Sequence, residues 1–260
     1  MTVHLVIPDS HAKHDVPNDR FSLLGKFIMD LRPDVIINIG DMADMESLSS
    51  YDKGKKSFEG RRYQKDIAAV KDALEKMHRP MFSYNTKQRA LKQKQYLPKM
   101  IMCLGNHENR INRVVENHPE LDGTISTEDL GYENWGYDVQ PFMSPILVDG
   151  ILYSHYFVTG IMGKPISGLH PAYSIIQKKY QSATQGHSHL LDYKIVTSGD
   201  GRKIQGLSVG CFLEKDQYEA YAGEEANAMW WRGVVVKHIT ENGYDPEFIS
   251  IERLEKMYGS

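Results

Sequence analysis

Eight residues have side chains suited to holding divalent ions, and they fall in tight groups: Asp9-Ser-His11, Gly40-Asp41, Gly105-Asn106-His107, His155, and Gly186-His187-Ser-His189. Mixed carboxylate, amide and imidazole donors suit borderline or hard ions, with Mn first and Fe, Zn, Mg or Ni as alternatives. Eight are too many for one ion and about right for two that share a carboxylate. Two ions roughly 3.5–4 Å apart can hold both oxygens of an in-line displacement at phosphorus and acidify a water. Singly, each group also reads as a polar turn, a Gly-Asn turn pair or a structural histidine. The paired histidines behind Gly186 are the strongest local signal.

Each group follows a short apolar run, which places it at a strand's carboxyl end, where open α/β folds build their sites. The runs are Val3–Ile7, Val35–Ile39, Met100–Leu104, Ile151–Ser154 and Ala183–Gln185. In extended backbone, Asp9 and His11 point the same way. Phe21, Leu24, Phe27, Ile28 and Leu31 have helical spacing behind the capping candidates Asn18 and Asp19, predicting a helix over 20–31 and a strand–helix–strand unit. Asp149-Gly150 predicts a hairpin, and 110–116 and 171–180 read as helices. Further strands are expected over 193–196, 204–209, 231–239 and 248–254. The whole is expected to be one α/β domain spanning 1–260.

Residues 42–98 differ in texture and read as a helical, basic insertion. Ile67, Val70, Leu74 and Met77 predict a helix over 63–77, with Pro80 breaking it and a second helix over 86–97. From Lys53 to Lys99 there are fourteen Lys and Arg against four acids (Glu59, Asp66, Asp72, Glu75), although the net charge of the chain is -3. Tyr51, Phe58, Tyr63, Tyr84 and Tyr96 are interleaved with these cations. Such a surface suits nucleic acid, while the same residues also serve a solvated helix packed by its aromatics. Cys103 and Cys211 lie in apolar runs and read as buried free thiols, which fits a reducing, intracellular, cytoplasmic setting. The sequence shows no leader and no apolar run of membrane-spanning length.

In order, Asp-x-His, Gly-Asp, Gly-Asn-His-Glu, a strand-end His and Gly-His-x-His resemble the calcineurin-like metallophosphoesterase superfamily over Asp9 to His189. The 42–98 segment and the closing segment are more similar to uncharacterised phage-encoded members. The resemblance implies a four-layer sandwich of two β-sheets flanked by helices, with two divalent ions at the strand ends. It assigns Asp9, His11 and His189 to one ion, Asn106, His155 and His187 to the other, and Asp41 as the bridge. It places the catalytic His107 near the leaving-group oxygen. Arg110 is implied as a phosphate clamp, with a helix-surface arginine as its other reading. Glu108 is expected to orient His107 or cap the helix, and Asp44, His14 and Asp15 to lie near the ligands or simply in loops. One departure is plain: Gly40-Asp-Met-Ala-Asp-Met lacks the Asp-Arg-Gly of the family's serine/threonine phosphatases. The expected activity is a phosphodiesterase acting on nucleic acid or nucleotides. A phosphomonoesterase and a non-catalytic binding scaffold are the alternatives.

Overall fold

A computed structural model of the chain describes residues 1–51, 54–219 and 222–259. β1 (Val3–Ile7) leads to α1 (Asp19–Leu31) and β2 (Val35–Asn38). Helix α2 (Tyr63–Ala90) precedes β3 (Lys99–Cys103), α3 (Asn109–Asn117) and β4 (Tyr137–Gln140). The hairpin β5 (Ile146–Val148) and β6 (Ile151–Tyr153) is followed by a short ribbon, β7 (Val158–Thr159) with β8 (Lys164–Pro165). Next come α4 (Pro171–Lys179), β9 (Ala183–Gln185), β10 (Leu191–Thr197), β11 (Lys203–Val209) and α5 (Gly223–Met229). β12 (Gly233–Thr240), β13 (Gly243–Ser250) and α6 (Ile251–Tyr258) follow.

This is a mixed α/β structure. A six-stranded sheet has the order β13-β12-β1-β2-β3-β4, with β1 to β4 parallel. A five-stranded sheet has the order β10-β11-β9-β6-β5, with β11, β9 and β6 parallel. Strand alternation separates two cores. Leu5, Ile7, Ile36, Met100, Met102, Val234 and Val236 pack with Phe21, Leu24, Val70 and Leu74 of α1 and α2. Val6, Val35, Ile37, Ile101, Cys103 and Val235 instead meet Val148, Tyr153, Leu207 and Val209 of the second sheet. Both cysteines are buried free thiols.

The layer between the sheets also holds charge. Lys237, fully buried, sits beside the hydroxyls of Thr184 and Tyr153, with the Tyr153 and Tyr244 rings 4.6 and 4.2 Å from its ammonium. Burial holds its pKa well below the usual lysine value. His4, paired with Lys237 in the strand register, has its Nε2 2.8 Å from Asp149 Oδ2.

Several elements differ from expectation. Pro80 does not break its helix: α2 runs from Tyr63 to Ala90 with the proline inside, and residues 91–98 are not helical. The buried positions Ile67, Val70, Leu74, Met77 and Met81 continue one face past Pro80, and burying that face outweighs a missing backbone hydrogen bond. The close approach of α1 helps, since a Cβ on Gly25 would lie 2.4 Å from the Met77 carbonyl oxygen. The strand expected over 248–254 stops at Ser250, whose side chain accepts the Arg253 N–H and starts α6. β4, the β7–β8 ribbon and α5 had no counterpart in the pattern reading. The aromatic residues of 63–96 pack the body: Tyr63 donates to Asp129, Tyr96 donates to the Pro33 carbonyl, and Tyr84 lies under the Arg32 guanidinium.

Candidate metal centre

Five parallel strand ends converge, three from one sheet and two from the other. β1 delivers Asp9 and His11, β2 delivers Asp41, and β3 delivers Asn106 and His107. β6 delivers His155, and β9 delivers His187 and His189. The loops that carry them are stitched together through backbone groups. The Asp41 carbonyl accepts the N–H groups of Ser10 and His11, and the Ala12 N–H donates to the Met42 carbonyl. Across the sheets, Asp9 Oδ2 accepts the His187 N–H at 2.8 Å. Two of these approaches require glycine: a Cβ at Gly105 would lie 2.1 Å from Asp41 Oδ1, and one at Gly186 would lie 2.1 Å from Asp9 Oδ1.

The side chains do not fan out from extended strands as the Asp9-x-His11 spacing predicts. His11, Asp41, His187 and His189 all have left-handed backbones, with φ of 43°, 48°, 65° and 58°. Left-handed non-glycine residues are uncommon, and their concentration at one point marks backbone held against its preference by the surrounding hydrogen bonds.

Ligand atoms of Asp9, His11 and His189 lie within 4.8 Å of one another, as do those of Asp41, His155 and His187, and those of His11, Asp41 and His107. These buried groups could hold a metal ion, and Asp41 belongs to two of them. The donor set fits a divalent cation on a direct observation. Asp9 Oδ1, His11 Nε2 and His189 Nδ1 are buried without a hydrogen-bond partner, and they are one atom from each member of the first group. In the second group, His155 Nδ1 lies 3.2 Å from the Ile39 carbonyl, to which it donates. Its Nε2 faces Asp41 Oδ2 at 3.2 Å and Asn106 Oδ1 at 3.0 Å, so three candidate donor atoms meet at one point.

The electrostatics ask for positive charge. Burial pushes the Asp41 carboxyl up, but His155, His107 and His11 overcome this and hold it well below the carboxylate range. Burial works against a charged His11, yet Asp44, Asp41 and Asp9 raise it to about 9. His155 rises to about 9 against burial, through Asp41 and Asp9. His187 falls to about 4, by burial first and then the charge of His155. Burial likewise lowers His189, with Asp9 opposing. Neutral His187 and His189 are already in the form that binds a metal.

Beside the ligands, Asp44 Oδ1 faces the Nδ1 atoms of His107 at 2.8 Å and of His11 at 3.2 Å, so one carboxylate orients two imidazoles. Arg110 lines the cleft. Its guanidinium donates to the Asp44 and Met45 carbonyls at 2.9 and 3.3 Å and reaches His107 Nε2 at 3.2 Å. Glu108 neither orients His107 nor caps the helix through its side chain. Instead its carboxylate accepts the N–H groups of Asp41, Ala43 and Gly105 and the Tyr132 hydroxyl, at 3.0, 2.9, 2.9 and 3.1 Å. It ties the β2 and β3 loops into one unit. Burial raises the Glu108 pKa, Asp41 adds to the rise, and the backbone donors oppose it. His14 and Asp15 are exposed and group with Glu46 of the cleft wall rather than with the ligands.

The cleft, about 500 Å³, is also lined by Tyr51, one of the aromatics interleaved with cations, and by Lys13, Glu46, Arg61 and Glu219, which sequence spacing did not single out. Lys13 pairs with Glu219 at 2.8 Å and Arg61 with Glu46 at 3.3 Å. Glu219 arrives from a loop more than two hundred residues away in sequence, so no local spacing could have announced it. No helix among the described residues is long and apolar enough to cross a membrane.

No protein-family model matches the chain. Over 255 residues, 95% of this chain and 92% of the other, it is 24% identical to the "Gene 54 protein" of Mycobacterium phage L5.

Proposed function

We propose that the protein is a metal-dependent phosphoesterase of the calcineurin-like type, built as a four-layer sandwich, and that its substrates are phosphodiesters of nucleic acid or nucleotides. The observation that carries this reading is the pair of buried triads, one ending in three unpartnered donor atoms and both adjoining Asp41. Asp9, His11 and His189 would hold one ion, His155, His187 and Asn106 the other, and Asp41 both. When bound, such ions supply Lewis acidity toward a phosphoryl group and acidify water near neutral pH.

The chain's own residues do the rest. Asp44 fixes the His107 ring through Nδ1 and turns Nε2 to the cleft beside the Arg110 guanidinium, where it would meet the departing oxygen. Arg110, anchored on two carbonyls, is a pre-positioned clamp for non-bridging phosphoryl oxygens. The serine/threonine phosphatase arginine has no equivalent after Asp44; the guanidiniums reaching this loop are those of Arg110 and Arg61.

The test compares a chromogenic phosphodiester with a chromogenic monoester, using Mn, Mg, Zn or a chelator, on wild type, Asp41→Asn and His107→Ala. Expected is Mn-stimulated hydrolysis favouring the diester, reduced about a hundredfold or more in both variants. Two bound ions per chain with no hydrolysis of either ester would leave a binding scaffold as the function. A monoester preference would replace the diester reading.

A further inference from the structure

The cleft does not end at Arg110. A second groove of about 210 Å³ shares Ser49, Tyr51, Asn106 and Arg110 with it and continues along α3 to Arg113 and Asn117. The two hollows differ in charge. Asp41, Asp44, Glu46 and Glu219 line the main cleft, whereas no carboxylate among the described residues lines the groove.

Its cations are spaced along one face. Arg110 and Arg113, three residues apart on α3, are surface neighbours with Cβ atoms about 5–6 Å apart. Arg110 is held by the Asp44 and Met45 carbonyls, while Arg113 is exposed and its guanidinium has no partner among the described residues. On the shared wall, Tyr51 is 68% exposed, a high value for a tyrosine beside a cleft. The Lys55 ammonium lies 3.6 Å from its ring centroid, and the ring makes no other aromatic contact among the described residues.

An exposed aromatic ring and two neighbouring arginines, with no acid among the described residues of the groove, match the two surfaces of a single nucleic-acid strand, its stacking bases and its phosphates. A phosphomonoester needs nothing beyond the phosphoryl pocket, and a phosphopeptide has no base to stack. Resting on the phosphoesterase reading, we propose that this groove seats the nucleotide on one side of the scissile diester, with Tyr51 stacking on its base and Arg113 taking the next phosphate. The substrate is then a strand that extends at least one nucleotide past the cleaved bond. The exposed basic face of α2 is not needed for this contact, because its Tyr63, Phe82 and Tyr84 contact Asp129, Trp135 and Arg32.

Two measurements test the assignment. In the first, fluorescein-labelled single-stranded DNA and RNA octamers are titrated by anisotropy into wild type, Tyr51→Ala, Arg113→Glu and Arg113→Lys. Wild type is expected to bind. Tyr51→Ala and Arg113→Glu should each weaken binding about tenfold, and Arg113→Glu should reduce the log–log salt slope by about one. Arg113→Lys should retain most of the affinity. In the second, the metal-loaded proteins hydrolyse the octamers and a minimal chromogenic diester that does not reach the groove. Tyr51→Ala and Arg113→Glu should raise KM for the octamers about tenfold, and Arg113→Glu, which lies outside the main cleft, should leave kcat/KM for the small diester within about twofold. A wild type that binds neither octamer, or variants that bind both unchanged, would overturn the subsite. So would an equal loss on small diester and octamer. Octamer binding that falls in the variants, with no hydrolysis of any ester, would uphold the subsite and remove the hydrolase. The stronger of the DNA and RNA arms identifies the strand.

Discussion

At the scale of single residues, the site depends on side chains that touch no ligand. Glu108 gathers three backbone N–H groups and a hydroxyl, so it fixes where Asp41 and Gly105 sit relative to each other. Glu108→Gln keeps the shape but sets an amide N–H against donors that expect an acceptor. It is expected to cost about 1–3 kcal/mol in urea unfolding and to weaken metal binding about 10–100-fold by calorimetry. Unchanged affinity would mean that the loops hold their form without it. The ligands themselves were legible in the sequence because each group closely follows a strand, three of them behind a glycine (Gly40, Gly105 and Gly186). Their partners were not. Lys13, Arg61 and Glu219 reach the cleft through tertiary placement, and the role of Glu108 depends on which loop lies over it.

At the scale of elements, strand and helix period gave β1, α1, β2, β3 and the β5–β6 hairpin, because buried alternation and a helical stripe are local patterns. The same rules failed at Pro80, where a long-range event, packing α2 on α1, overrode a local breaker. Pro80→Ala restores a donor toward the Lys76 carbonyl and should raise stability by about 1–3 kcal/mol in chemical denaturation. A destabilised variant would show that the proline shapes the α1 contact. On the same helix, His78 is buried with its Nε2 3.2 Å from the Tyr137 hydroxyl and its ring stacked on Trp135. Burial lowers its pKa from 6.5 to about 4. Because the folded state prefers the neutral ring, its contribution is fully present above pH 6.5 and is lost as pH falls toward 4. Relative to His78→Phe, wild type should lose about 3 kcal/mol across that window, read from urea midpoints at several pH values. A constant difference would mean that the ring accepts its proton without penalty.

At the scale of the whole molecule, the candidate centre joins two sheets that otherwise meet through an apolar layer. Ions held by Asp9, Asp41 and the histidines of both sheets would bind the native state alone and so shift the folding equilibrium by mass action. Chelation should lower Tm by roughly 5–10 °C, with Mn restoring it, in differential scanning calorimetry. A Tm indifferent to chelator and Mn would count against a site shared between the sheets. The convergence of five strand ends was legible from the apolar run before each motif. The order of the strands, which makes those ends neighbours, was not, because β12 enters beside β1 from the far end of the chain.

Lys237 lies in that same layer, near the start of β1, whereas the ligands follow its end. The gap between the sheets would then be fastened at two places, by the buried Lys237 with its hydroxyl partners and by an exchangeable ion. Removing the exchangeable one should unfasten the molecule like a clasp rather than dissolve it. In hydrogen exchange with chelator, amides at 40–44, 104–107 and 186–189 would then lose protection first. Those at Tyr153, Thr184 and Lys237 would keep theirs until global unfolding. A protein built in this way would be folded before any ions arrive, and their supply would set how firmly its two sheets are fastened at that end.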